Sequence, residues 1–178
     1  MGEFDGLAAV VTGGGSGIGL ATATLLAERG ASVACFDLSV DGLPPPLRGI
    51  VGDVTDDATV RAGVAEAAEL LGGIDVLVNN AGIGAAGTVE DNPDDEWHRV
   101  LDVNVVGMAR VSRAALPHLR RSGHAVIVNT CSIAAHAGLP SRALYSASKG
   151  AVQSLTLAWL DRYVRRGVRW PSLEPHGR

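Results

Sequence analysis

The stretch Leu7-Ala8-Ala9-Val10-Val11-Thr12-Gly13-Gly14-Gly15-Ser16-Gly17-Ile18-Gly19 decides the fold. Its apolar part, residues 7–12, is too short for a helix and predicts a buried strand. From Ile18 to Leu26 apolar residues recur at helical spacing, and Gly30 ends the element. A strand, a glycine loop and a helix in this order favour a phosphate-binding turn, because glycines let the backbone approach a pyrophosphate and the helix start offers N–H groups. The spacing Gly-x-x-x-Gly-x-Gly differs from Gly-x-Gly-x-x-Gly, so a merely flexible loop is the alternative.

Composition limits the class of protein. A chain of 178 residues with 47% apolar residues predicts one globular domain spanning 1–178. A net charge of −4 gives no reason to expect nucleic acid or an anionic membrane as partner, and no apolar run has the length of a membrane span. The N-terminus has no apolar signal core, and Cys35 and Cys131 are predicted to be small core residues of a reduced, cytoplasmic protein. The histidines lack metal-ligand spacing, so no metal site is expected.

Strands and helices alternate along the rest of the chain. Further strands are predicted at 32–36, 49–52, 74–78 and 125–129, and helices at 58–71, 96–121 and around Tyr145. The crossover 39–48 is expected to be irregular because Pro44-Pro45-Pro46 cannot lie inside a helix. This alternation predicts an α/β fold, a doubly wound parallel sheet with right-handed crossovers and helices on both faces.

Polar residues follow the predicted strands where ligands collect in such sheets. Asp37 lies about twenty residues beyond the glycine turn, where a carboxylate accepts bonds from an adenosine ribose and repels a 2′-phosphate. We therefore expect NAD rather than NADP, the alternative being a solvated Asp at the start of a loop. Asp53, followed by Val54, either reaches the adenine edge or caps the next turn. Asn79-Asn80-Ala81-Gly82 either lets a cofactor lie against the backbone or satisfies loop polar groups.

The stretch Tyr145-Ser146-Ala147-Ser148-Lys149 places a phenol and an amine on one helix face. An unperturbed phenol titrates near pH ~10, and both an adjacent ammonium and a helix N-terminus favour the phenolate. The pair is therefore a proton-transfer device for an alcohol or a carbonyl, and an exposed Tyr beside an exposed Lys is the alternative. Asn104, in an apolar helical stretch, needs a partner such as water or a backbone carbonyl.

Taken together, these motifs resemble the short-chain dehydrogenase/reductase family, in the subgroup with Thr-Gly-x-x-x-Gly-x-Gly. The resemblance implies a Rossmann-type sheet with strand order 3-2-1-4-5 and an NAD-dependent oxidoreductase acting on a secondary alcohol or ketone. It implies that Tyr145 is the acid/base, that Lys149 favours the phenolate and holds the nicotinamide ribose, that Ser132 binds the substrate oxygen, and that Asn104 positions a relay water. The expected cofactor-binding residues are Gly13, Ser16, Gly17, Ile18, Gly19, Asp37, Asp53, Val54, Asn80, Ala81, Gly82, Tyr145 and Lys149. Nucleotide-sugar epimerases share Tyr-x-x-x-Lys but differ in glycine spacing.

The sequence departs from this family near its end. Pro171 and His176 disrupt the expected sixth strand, no seventh strand follows, and 167–178 is expected to be an irregular tail. A shortened domain that binds dinucleotide with little activity is therefore an alternative function. A third is an interaction protein that uses the helices 96–121 and 145–166, through which the resemblance implies a homodimer or homotetramer.

Overall fold

The computed structural model describes residues 2–164, with side chains through Trp159. Five parallel strands form one sheet in the order β3-β2-β1-β4-β5. The strands are β1 (Ala8–Thr12), β2 (Ser32–Asp37), β3 (Arg48–Val51), β4 (Val76–Asn79) and β5 (Val126–Asn129). The predicted order 3-2-1-4-5 is confirmed. The predicted sixth strand and the tail 167–178 lie outside the described residues.

The central strand β1 is buried along its whole length because strands flank it on both sides and helices cover both faces. Alternate residues of the strand enter different cores. Val10 belongs to the core between the sheet and the helices that follow β3 and β4, whereas Ala9 and Val11 belong to the core beneath the first helix. This packing fixes the carboxyl ends of β1, β2 and β4 beside one another.

Among the described residues, five α-helices flank the sheet. They are α1 (Gly17–Glu28), α2 (Asp57–Leu71), α3 (Asp94–Leu101), α4 (Met108–Leu119) and α5 (Ala143–Val164). Helix α2 begins where the Asp56 carboxylate accepts the Thr59 N–H at 2.7 Å, and it ends at Gly72 with φ of 78°. No helix occurs within residues 38–47, which confirms the irregular crossover at the proline run.

The helix predicted at 96–121 is confirmed as one helical run from Asp94 to Leu119, although its hydrogen bonding is not α-helical throughout. A π-helical segment, Asp102–Gly107, separates α3 from α4. A π turn inserts one extra residue, which turns the side chain of Asn104 into the interior, where it is 2% exposed. Gly107 permits a close approach there, since an added Cβ would lie 2.9 Å from Cγ2 of Val54. The segment therefore lies against the loops that follow β3 and β4.

Candidate active site

The glycine turn between β1 and α1 is held against the loop that follows β4. The hydroxyl of Thr12 accepts the N–H groups of Asn80 and Ala81 at 3.0 and 3.1 Å. A Cβ on Gly19 would overlap the carbonyl oxygen of Gly13, so only glycine allows α1 to start this close to the turn. Gly13 has φ of 64° in the left-handed region. The turn and the loop therefore form one tightly packed wall.

Asp37, at the end of β2, closes the other side of the turn. Its two carboxylate oxygens accept the N–H groups of Gly15, at 2.8 Å, and Leu38, at 2.7 Å. Each oxygen retains a lone pair for a further donor. Burial, and then the Asp37 charge, raise the pKa of the Cys35 thiol to about 11, so that buried thiol stays protonated. Asp37 thus both supports the turn and presents negative charge beside it.

A cavity of about 440 Å³ lies at the carboxyl ends of the strands. It brings together most of the predicted site residues: Gly13, Ser16, Gly17, Ile18, Asp37, Asp53, Val54, Asn80, Ala81, Gly82, Tyr145 and Lys149. Gly19, Asn104 and Ser132 are not among its lining residues. Asp53 lines the cavity, where a bound adenine would lie within its reach. Its carboxylate also accepts the Thr55 N–H at 2.8 Å and so caps the next turn.

Tyr145 and Lys149 lie in the first two turns of α5, which begins at Ala143. The Lys149 Nζ atom lies 5.8 Å from the centroid of the Tyr145 ring and donates to the carbonyl of Thr130 at 2.8 Å. Lys149 is 6% exposed, and this burial lowers its pKa, although the neighbouring Cys131 opposes the shift. The amine is therefore anchored beside the phenol, and the alternative of two exposed side chains is wrong for Lys149.

Ser132 follows the end of β5. Its hydroxyl oxygen accepts the N–H of Ala134 at 3.2 Å and caps a short 3₁₀ turn, Ile133–Ala135. Accepting this bond leaves the hydroxyl hydrogen to donate elsewhere. The neighbouring Cys131 is half-buried, and its thiol donates to the carbonyl of Lys149 at 3.4 Å. The prediction of Cys131 as a plain core residue is therefore wrong, whereas Cys35 is buried as expected.

Asn104 has a backbone carbonyl as partner, as predicted. Its Nδ2 atom donates to the Ile83 carbonyl at 2.9 Å and to the Ser148 hydroxyl at 3.0 Å, and its Oδ1 atom accepts the Ile83 N–H at 2.8 Å. Both amide hydrogens are thus engaged by protein groups. The predicted role in positioning a relay water stays a prediction.

Several residues at the site were missed by the sequence reasoning, and two of them, Thr130 and Ser148, bond to predicted site residues. Thr130 contributes a main-chain carbonyl, which any residue type supplies, so no sequence signal marks it. Ser148 had a signal, because it lies three residues after Tyr145 and shares its helical face. Both act through partners distant in sequence, which periodicity does not reveal.

The fold and the site define a nucleotide-binding α/β domain with a tyrosine–lysine pair beside a glycine turn. A family model described as short chain dehydrogenase matches residues 7–177, and the chain belongs to that family. It is 40% identical to the 2-(R)-hydroxypropyl-CoM dehydrogenase of Xanthobacter autotrophicus over 94% of this chain and 72% of that protein. It is 38% identical to the meso-2,3-butanediol dehydrogenase of Serratia marcescens over 97% of this chain and 72% of that protein.

A solved structure has a similar fold. The structure of an NAD+-bound xylitol dehydrogenase matches with a TM-score of 0.87 at 36% identity, over 94% of this chain and 68% of that one. The chain is therefore an oxidoreductase of the short-chain dehydrogenase family. Within the described residues, no helix is long and apolar enough to cross a membrane.

Proposed function

We propose that this protein transfers a hydride between NAD and a secondary alcohol or ketone, with Tyr145 as the acid/base. One observation carries the proposal: a single cavity is lined by the glycine turn, the Asp37 carboxylate, Tyr145 and Lys149. A phosphate-binding turn and a proton-transfer pair in one cavity suit a redox reaction on a dinucleotide and a small alcohol.

The residues present fit a dinucleotide. Gly17 starts α1 with φ of 53°, lines the cavity, and would have no heavy atom within 4 Å of an added Cβ, so the helix start faces open space. Such a terminus stabilises a pyrophosphate. The charge of Asp37 suits ribose hydroxyls and opposes a 2′-phosphate, which supports NAD over NADP. A related enzyme of Sphingomonas sp., 35% identical, is a 2-dehydro-3-deoxy-L-rhamnonate dehydrogenase (NAD(+)).

When bound, the nicotinamide supplies the hydride acceptor or donor. In alcohol oxidation, the Tyr145 phenolate takes the hydroxyl proton, and in ketone reduction the phenol returns it. Lys149, whose Nζ atom lies 5.8 Å from the centre of the Tyr145 ring, has one of its three N–H donors on Thr130 and retains two for the nicotinamide ribose and the site. Ser132 donates its hydroxyl hydrogen to the substrate oxygen. Asn104 holds the adjacent wall through its bonds to Ile83.

The assembly and location are also proposals. Val106, 41% exposed, and Leu157, 59% exposed, lie on the helices 96–121 and 145–166 and support a homodimer or homotetramer formed through them. The part 165–166 of the second helix lies outside the described residues. A single domain and a cytoplasmic location remain predictions from composition.

The test combines ligand-dependent unfolding with turnover. We expect NAD+ and NADH to raise the melting temperature, since saturation at 100-fold above Kd stabilises by about 2.7 kcal/mol, and NADP+ and NADPH to raise it less. NADH formation is then followed with 2-butanol, meso-2,3-butanediol and xylitol. A shift with NADP(H) alone would overturn the role of Asp37, and the absence of NADH formation with all three alcohols would contradict the proposed reaction.

A further inference from the structure

Ser148 lies inside the protein between two parts of the proposed site. It is 0% exposed, in the first two turns of α5. Its hydroxyl donates to the carbonyl of Tyr145 at 2.8 Å and accepts from the amide of Asn104 at 3.0 Å. The one hydroxyl thus uses its hydrogen and a lone pair to join the helical turn that carries the phenol to the π segment.

The bond to Ser148 uses one hydrogen of the Asn104 amide and ties this side chain to α5. The remaining amide hydrogen and the amide oxygen grip the two main-chain polar groups of Ile83, at 2.9 and 2.8 Å. An amide that keeps all three bonds has one rotamer available, because a flipped amide would set N–H against N–H at Ile83. Asn104 therefore connects Ser148 to the backbone of Ile83 through hydrogen bonds.

Ile83 is part of the proposed reaction site. It lines the cavity together with Tyr145 and Lys149. Ile83 and Tyr145 also pack against the same small core, made by Ala85, Val100 and Leu144. The position of this wall relative to the phenol therefore depends on the chain of bonds from Ser148 through Asn104.

We propose that Ser148 is a positioning residue, which fixes the Ile83 wall and the Tyr145 turn relative to each other. The proposal rests on the proposed function, because it concerns the alignment of nicotinamide and alcohol between these two groups. Ser148→Ala leaves an amide hydrogen of Asn104 without an acceptor in a buried position and breaks the link between the Ile83 wall and the Tyr145 turn. The adenosine half of the cofactor, at the glycine turn and Asp37, is unaffected.

The experiment compares Ser148→Ala with Ser154→Ala, an exposed serine of the same helix, as control. Dissociation constants for NAD+ and for ADP-ribose, which lacks nicotinamide, are measured by calorimetry, together with kcat for the alcohol that the wild type oxidises best. We expect kcat to fall between about tenfold and a hundredfold, as for a small misalignment of reacting groups. NAD+ binding weakens several-fold and ADP-ribose binding stays within twofold.

A double-mutant cycle tests whether Ser148 acts through Asn104. In an Asn104→Ala background, Ser148→Ala is expected to change NAD+ affinity and kcat by less than twofold, because the link is already broken. A full effect in that background overturns the proposal. Wild-type kinetics and NAD+ binding in Ser148→Ala overturn it as well. An equal loss of ADP-ribose affinity shows a general structural role and also overturns it.

Ser148→Cys covers the case in which the alanine variant does not fold. Its thiol keeps the volume but is a weak donor and acceptor, so a smaller loss in the same direction is expected, and wild-type values overturn the proposal. Two different measurements distinguish failure of this proposal from failure of the proposed function. Turnover that survives in Tyr145→Phe would contradict the proposed function. The difference between NAD+ and ADP-ribose binding tests the role of Ser148 without any turnover.

Discussion

Replacing Asp37 with alanine is expected to abolish the preference for NAD+ over NADP+. The carboxylate accepts the N–H groups of Gly15 and Leu38 at 2.8 and 2.7 Å and borders the cavity, so we expect it to act both on the turn and on a bound ribose. Hydrogen bonds to a charged group contribute roughly 1.5–3 kcal/mol each. Loss of one such bond to the ribose weakens NAD+ binding by about 10- to 150-fold, at 1.4 kcal/mol per factor of ten.

The effect on NADP+ has a second component. A 2′-phosphate charge roughly 5 Å from a carboxylate is repelled by about 3 kcal/mol at an effective dielectric constant of ~20. Removing Asp37 removes this repulsion, which offsets the weaker support of the turn. NADP+ binding is therefore expected to stay level or improve while NAD+ binding falls.

The assay is kcat/KM for both cofactors with one alcohol at constant ionic strength, because salt screens the repulsion. Asp41→Ala serves as the control, since it removes an exposed carboxylate from the same crossover. The measured quantity is the ratio of kcat/KM with NAD+ to kcat/KM with NADP+. A ratio within threefold of wild type in Asp37→Ala, or an equal change of the ratio in Asp41→Ala, would refute the proposed role of Asp37.

Two further predictions concern the turn and the amine. Gly19→Ala is expected to lower the free energy of unfolding by about 1–3 kcal/mol and to weaken NAD+ binding, because its Cβ would overlap the Gly13 carbonyl. Chemical denaturation checks this, with Gly150→Ala as control, because an added Cβ on this helical glycine has nothing within 4 Å. Equal stability of the two variants would contradict the prediction. Burial lowers the pKa of Lys149 in the folded state, so the unfolded chain binds more protons between that lowered value and its unfolded value near 10.5. Stability relative to Lys149→Met should therefore rise with pH across this window, and denaturation at a series of pH values showing a flat or falling difference would refute it.

The order of elements was predictable because it depends on short-range patterns. Short apolar runs marked all five strands, and the parallel arrangement followed from their alternation with helices. The bounds were less accurate. Ile74 is 2% exposed but precedes β4, since burial alone does not distinguish a strand from the residues that lead into it.

The interior of the site was less predictable than its position. The π segment Asp102–Gly107 adds one residue to a turn, and the apolar spacing of the stretch did not reveal it. The grip of Asn104 on Ile83 and Ser148 joins residues 21 and 44 positions apart. Such pairings depend on the tertiary fold, so a single sequence places these residues near one sheet edge without showing which of them bond.

In the proposed reaction, the phenol of Tyr145 moves the proton while NAD carries the hydride. Its most direct test is the rate of NADH formation by Tyr145→Phe under saturating alcohol, with NAD+ binding measured in parallel. We expect a loss of at least about a hundredfold in kcat, the scale of general acid–base catalysis, with NAD+ affinity nearly unchanged. Turnover within a few-fold of wild type would contradict it.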